Sequence, residues 1–178
     1  MVLFAREEAM AVVTETTTGW TAARELDRRI VVVWTVQEAV GFGVLALLAL
    51  AVDVGARLAG AEVPGPPGLV AGLVALAGAL DAWWLPRARY RRWRYQVAPD
   101  ALELRHGVFK HVHSTIPYFR VQHIDIAQGP VERALGLARL IVHTASAGTD
   151  ATIPGIAAGD AEGLRRLILA RAGSGDAV

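Results

Sequence analysis

The chain is 178 residues long, 53% hydrophobic and only 20% charged. A domain held wholly in water does not have that balance, so part of the chain is expected to leave water. Having no cysteine, it excludes a disulfide framework, a thiolate zinc site and a cysteine nucleophile. A net charge of +1 excludes a nucleic-acid binder of the usual kind, whose basic residues line one face of the fold.

Residues 1–28 read as a short cytoplasmic tail. The apolar tip Met1 to Ala5 is too short for a signal-peptide core and no small-residue cleavage site follows it; Met10 stands as a second candidate start. Arg24, Arg28 and Arg29 then precede an apolar segment, residues 30–52, long enough to cross a hydrocarbon core of about 30 Å as a helix. A core helix of a soluble protein keeps a polar stripe, whereas Ala39 to Val52 carries no charged or amide side chain on any face. Trp20 and Trp34 are expected in the inner headgroup layer.

The connector, residues 53–68, contains PGPPG, which cannot continue a helix, and reads as a short outer loop. A second span is expected over residues 69–86, rich in Ala and Gly, which let helices approach closely in lipid. Gly41 and Gly43, or Gly72 and Gly78, do not form GxxxG, so no dimer motif is assigned. Arginines crowd both outer flanks of the pair and only Arg57 lies in the connector. The positive-inside rule then predicts a multi-pass protein of the inner membrane with both termini cytoplasmic.

Two sets of residues in this hairpin carry expectations. Arg87, Arg89, Arg91, Arg92 and Arg94, with Trp83, Trp84 and Trp93, are candidate membrane-surface residues, each base contributing about 1 kcal/mol beside an anionic leaflet while arginine stems snorkel around the indoles. Glu38 and Asp81 are candidate intramembrane polar residues, because a buried carboxylate is costly unless partnered or protonated. Their functional reading is handling of a lipid or proton, with Gln37 as a hydrogen-bond partner. The structural reading is Asp81 reaching Arg87 or Arg89 and Glu38 in a wet helix seam.

Beyond Arg94 the period changes to that of strands. Expected strands are Tyr95 to Ala98, Leu102 to Arg105, Val108 to Ile116, Val121 to Ala127, Leu137 to Thr144 and Ala151 to Ile153, with breaks at Pro99-Asp100, Gly107, Gly129-Pro130 and Gly148. Asp160 is expected to cap a closing helix whose apolar stripe is Leu164, Leu167, Ile168 and Arg171.

Gly107-Val108, IPYFRVQ at Ile116 to Gln122, QGPVERALGL at Gln128 to Leu137 and Thr144-Ala145 resemble the YdbS-like bacterial pleckstrin-homology family over about residues 90 to 170. The resemblance implies two bent antiparallel sheets closed by a C-terminal helix on a bacterial inner-membrane protein. It implies no assigned reaction and no cofactor, and it admits a homo-oligomer. The expected whole is an α+β membrane protein: a two-helix transmembrane hairpin (29–89), then a pleckstrin-homology-like sandwich or barrel of about seven strands (90–172), then a tail (173–178). Eukaryotic domains of this fold bind phosphoinositides through bases in the first hairpin loop. Here that loop is Ala98-Pro99-Asp100-Ala101, so no specific phosphoinositide is expected. After the glycine, where relatives tend to carry bases, Lys110, His111 and His113 are expected to weaken attraction to anionic lipid at neutral pH and to make it pH-dependent.

Arg120, Gln122 and Arg133 are candidate partner contacts, weighed against an internal role bracing the sheet and the Gly129 to Leu135 turn. Among His106, His111, His113, His123 and His143, only His111 and His113 share a strand face by spacing, and no HExxH occurs; no metal site is assigned. Ser114, Ser146 and Ser174 lie in no GxSxG, and the glycines form neither GxGxxG nor a Walker loop. The expected role is a non-enzymatic binding or assembly module whose partners are the bilayer and other membrane or envelope proteins.

Overall fold

A computed structural model describes residues 23–145 and 150–174. Most of the expected N-terminal tail, with Met10 and Trp20, lies outside the described residues, as do Ser146, Gly148 and residues 175–178.

Two long helices come first: α1 (Ile30–Leu58) and α2 (Leu69–Arg92). Helix α1 continues six residues past the expected end at Val52 and stops just before Gly60, whose φ is +82; α2 runs through Pro86 rather than stopping there. Pro86 has no N–H for the Ala82 carbonyl four residues back, and the Thr35 hydroxyl of α1 donates to that carbonyl at 3.4 Å. At the other end of the pair, Asp53 accepts the Gly68 N–H at 2.8 Å and the Arg57 Nε at 3.1 Å, and Arg57 also donates to the Gly65 carbonyl at 2.9 Å. The only base of the outer turn is thus tied to a carboxylate that also satisfies the first donor of α2. Between these ends the helices pack directly: a Cβ on Gly78 would run into the Phe42 side chain.

Only Trp93 separates α2 from the strands β1 (Arg94–Val97), β2 (Ala101–His106) and β3 (Val112–Pro117), which form one antiparallel sheet in that order. A single 3-10 turn, Tyr118–Arg120, leads to the second antiparallel sheet, β4 (Val121–Ala127), β5 (Leu137–Thr144) and β6 (Ala151–Ala157), with the short helix α3 (Pro130–Ala134) between β4 and β5. Helix α4 (Ala158–Ser174) follows. The described residues contain six strands in two open sheets rather than about seven in a barrel. The expected strand Val108 to Ile116 is shorter, since Gly107 to His111 form the tip of the β2–β3 hairpin. Strand β6 is longer than expected and carries Pro154, which an edge strand tolerates because its outward N–H needs no partner.

Leu102, Leu104, Leu137, Leu140, Val142 and Ile153 make the core between the sheets. Helix α4 closes it through Ala161, Leu164 and Ile168. Leu167 points outward instead, and Arg171 reaches across to the β1–β2 turn. Asp160 lies in the first turn of α4 rather than before it.

The same core takes in residues from outside the β region: Leu26, Ile30, Val33 and Trp34 are all buried in it, Ile30 completely. Burying each of the aliphatic three contributes about 1.5–3 kcal/mol. Arg24 pairs with Tyr95 as an extra strand residue on the free edge of β1, and Asp27 N–H donates to the Gly155 carbonyl at 2.8 Å. Gly155 has φ +62, and a Cβ there would lie 2.7 Å from the Cβ of Ile30. Only glycine fits both the left-handed backbone and that approach.

Candidate functional site

The site is the collar where the apolar helices meet the β region. Helix α1 has 29 residues, about 43 Å at 1.5 Å per residue, whereas about 20 residues cross a hydrocarbon core of about 30 Å. Part of that surplus is the first turns of the helix, where Ile30, Val33 and Trp34 enter the protein core. Farther along, Val40, Val44, Leu45, Leu47, Leu48 and Val52 are exposed, and α2 likewise exposes Leu73, Leu76, Leu80, Trp83 and Trp84. Side chains this apolar and this uncovered are what a helix presents to lipid.

The arginines occupy the end of α2 and the first position of β1, and most of them are engaged within the fold. Arg87 donates to the Trp83 carbonyl with its guanidinium over that indole, 5.9 Å from the centroid. Arg89 lies over the Trp34 ring at 5.2 Å. Arg92 donates to the Val108 carbonyl and to His111 Nε2, each at 2.9 Å. Arg94 pairs with Glu25 at 2.6 Å. Arg91 is exposed. Two tryptophans leave the expected set. Trp93 is 6% exposed, stacked on His106 at 5.4 Å, and Trp34 is core rather than headgroup-facing. Trp93 is flanked by Arg92 and Arg94, yet the turn of the chain into β1 sends it inward.

In place of Trp93 the fold adds Phe109. This ring, 83% exposed at the β2–β3 tip, lies 6.2 Å from that of Trp84, and Arg92 holds the tip's backbone against α2. Lys110 is exposed beside it. An open groove of about 730 Å³ runs between α2, this tip and β6, with Trp34, Leu85, Arg89, His106, Phe109 and Lys110 among its lining. Burial holds the His106 imidazole pKa below the usual histidine range, which disfavours a charged ring against Trp93. Strand β1 starts at α2 and is four residues long, which carries the β1–β2 turn about 13 Å away along the sheet. That turn is held by Tyr118, whose hydroxyl donates to the Ala98 carbonyl at 2.7 Å, and by Arg171, which donates to the Val97 carbonyl at 2.8 Å.

Arg120 and Gln122 are exposed next to Phe119, itself 69% exposed, with the Arg120 guanidinium 5.7 Å from the Phe119 ring centre. Arg133 is exposed on α3, a different element, which packs on β5 and α1. The α3 turn is braced by neighbours of Arg133. Glu132, 3% exposed, accepts the Gly129 N–H at 2.6 Å and two donors of Arg139, at 2.7 and 3.1 Å. Sequence reasoning passed over Glu132, although a Glu three residues after the helix-capping position is a readable sign. Nearby, hydrogen bonds from Arg29 hold the Asp27 carboxyl below the usual carboxylate range, and Arg29 also donates to the Leu135 carbonyl at 2.8 Å.

Glu38 and Asp81 are both half-buried, on the stripes of α1 and α2 that face each other: Glu38 lies between Thr35 and Phe42, Asp81 between Gly78 and Ala82. Gln37 is exposed on another face, and Arg87 and Arg89 turn to tryptophans. The histidines disperse differently from their spacing. His111 goes to Arg92, while His123 and His143 meet across β4 and β5.

A family model described as Bacterial PH domain matches residues 38–172, well over half of the chain and wider than the segment 90 to 170. Among curated proteins the chain is similar to the UPF0699 transmembrane protein YdbS of Bacillus subtilis (strain 168), 32% identical over 100 residues. That alignment covers 51% of this chain and 62% of the relative, so the chain spans less than two thirds of the relative's length. No solved structure matches. A transmembrane relative together with two exposed apolar helices makes this a membrane protein.

Proposed function

This chain belongs to the bacterial PH domain family, and from that premise we propose that it is a membrane-fixed, non-enzymatic binding module that assembles with other membrane proteins. The observation that carries this reading is the burial of Ile30, Val33 and Trp34 of the first apolar helix in the core of the β domain. A tethered domain swings; one whose core includes the anchor's first turns holds one face at one height above the bilayer. Arginines on both inner flanks of the hairpin support cytoplasmic termini and two crossings of the inner membrane. The chain has no cysteine, so a single one introduced at Glu62 should react with an impermeant thiol reagent on intact cells while one at Phe109 does not. The reverse pattern rejects the orientation.

The contact surface in this reading is Phe119, Arg120 and Gln122, an exposed aromatic ring flanked by polar groups, as hot spots commonly are. The test is affinity purification from native membranes in mild detergent. Arg120→Glu should lose the co-purifying proteins with melting temperature unchanged, and retention of every partner would reject the surface. A second reading, lipid or proton handling, is favoured by the facing position of Glu38 and Asp81 in the helix seam. In the same purification the double change to alanine leaves an assembly role intact and abolishes a proton- or lipid-handling one.

A further inference from the structure

The register of β4 and β5 sets His123 directly opposite His143, with their rings stacked at 4.3 Å and 17°. Asp125 lies two residues from His123, hence on the same face of the sheet. The nitrogen and oxygen ligand atoms of these three all lie within 4.8 Å of one another. A fourth residue decides how they are disposed. Asp150 accepts the Thr144 N–H at 3.1 Å through Oδ1, and its Oδ2 lies 2.9 Å from His143 Nδ1. A carboxylate only accepts, so Nδ1 carries a hydrogen and Nε2 is the ring nitrogen left to face Asp125. That Nε2 is 3.4 Å from Asp125 Oδ2, so an imidazole nitrogen and a carboxylate oxygen, both ligand types for a divalent ion, converge on one point.

Two ligands bound at about 2.0–2.2 Å to one tetrahedral ion are about 3.3–3.6 Å apart, which is the separation of His143 Nε2 and Asp125 Oδ2. His123 is exposed and turns about its side-chain bonds to supply the third ligand. Asp150 is then the carboxylate that orients a metal-bound imidazole from behind.

We propose that His123, Asp125 and His143 form a surface site for a borderline divalent ion such as Zn²⁺, with Asp150 positioning His143 and the fourth coordination position open to water or to a partner's side chain. Imidazole and carboxylate ligands suit zinc over calcium or magnesium, which prefer all-oxygen sets. The expected affinity is modest, because the ligands are on the surface and one must rotate.

The test uses the full chain in detergent micelles, without a polyhistidine tag, freed of metal by a chelator and titrated calorimetrically with Zn²⁺ alone at neutral pH. One site per chain is expected. His143→Gln should abolish it, and Asp150→Asn should weaken it about 10- to 100-fold. Asp125→Asn should weaken it without loss of folding, since that side chain is 62% exposed. His111→Ala should leave it unchanged. No zinc heat in the parent chain overturns the proposal. So does zinc binding that survives both His143→Gln and Asp125→Asn.

Discussion

The two parts of α1 are both strongly apolar and have opposite surroundings. Ile30, Val33 and Trp34 are packed inside the β domain, while Val40 to Leu58 has no buried residue along its length. Aliphatic side chains suit both, because lipid tails and a protein core are equally apolar. What separates the parts is packing: the first is fitted into the β domain against Gly155, while the second touches α2 on one side and leaves its other faces uncovered. An anchor helix can therefore be a structural element of the domain it anchors.

The sharpest way to break that contrast is to enlarge a glycine in each setting. Gly155→Val puts a branched side chain at φ +62 into Ile30 and should destabilise the domain by about 3 kcal/mol or more, measured as a fall in melting temperature and early proteolysis within β6. Gly43→Val, with nothing within 4 Å of its Cβ position, should shift the melting temperature little. Equal effects at both positions would mean that the helix does not dock as described. The middle of the scale is the α3 turn beside Arg29. Glu132→Ala leaves the Gly129 N–H without its acceptor and Arg139 without its ion pair, and should cost about 2 kcal/mol, read from chemical denaturation. Arg133→Ala, on the same turn but exposed, should cost almost nothing.

The smallest effect is one of pH. His106 has a folded-state pKa pushed down by burial, so the unfolded chain takes up a proton first as pH falls below about 6.5. The stability associated with its neutral ring is fully present above that pH and is lost as pH falls toward the folded value. His106→Phe keeps the stack on Trp93 and should flatten the melting-temperature profile between neutral and mildly acid pH relative to the parent. A parallel pair of profiles would remove His106 from the account.

Much of the architecture was readable from residue order. Fourteen residues without a polar side chain, Ala39 to Val52, leave little choice but lipid, and the alternation in β2 and the apolar run in β5 mark the sheets. The family motifs pointed to the fold. The site was less readable. Arg120 and Gln122 are indeed exposed, but Trp93 and Trp34 turned inward, and Phe109 took the collar position that local pattern had assigned to Trp93. Glu132 was visible only to a reader who treated Gly129-Pro130 as a helix start.

Composition and period by themselves determined two apolar helices, a β region after them and an arginine-rich boundary, because transfer between water and lipid acts on each segment alone. Tertiary structure alone decided that α1 begins inside the β core, that the hairpin tip rather than the first loop sits beside α2, and that His123 faces His143. Those are contacts between residues far apart in the chain, set by strand register and helix docking, and no local pattern encodes which distant partner a side chain will meet.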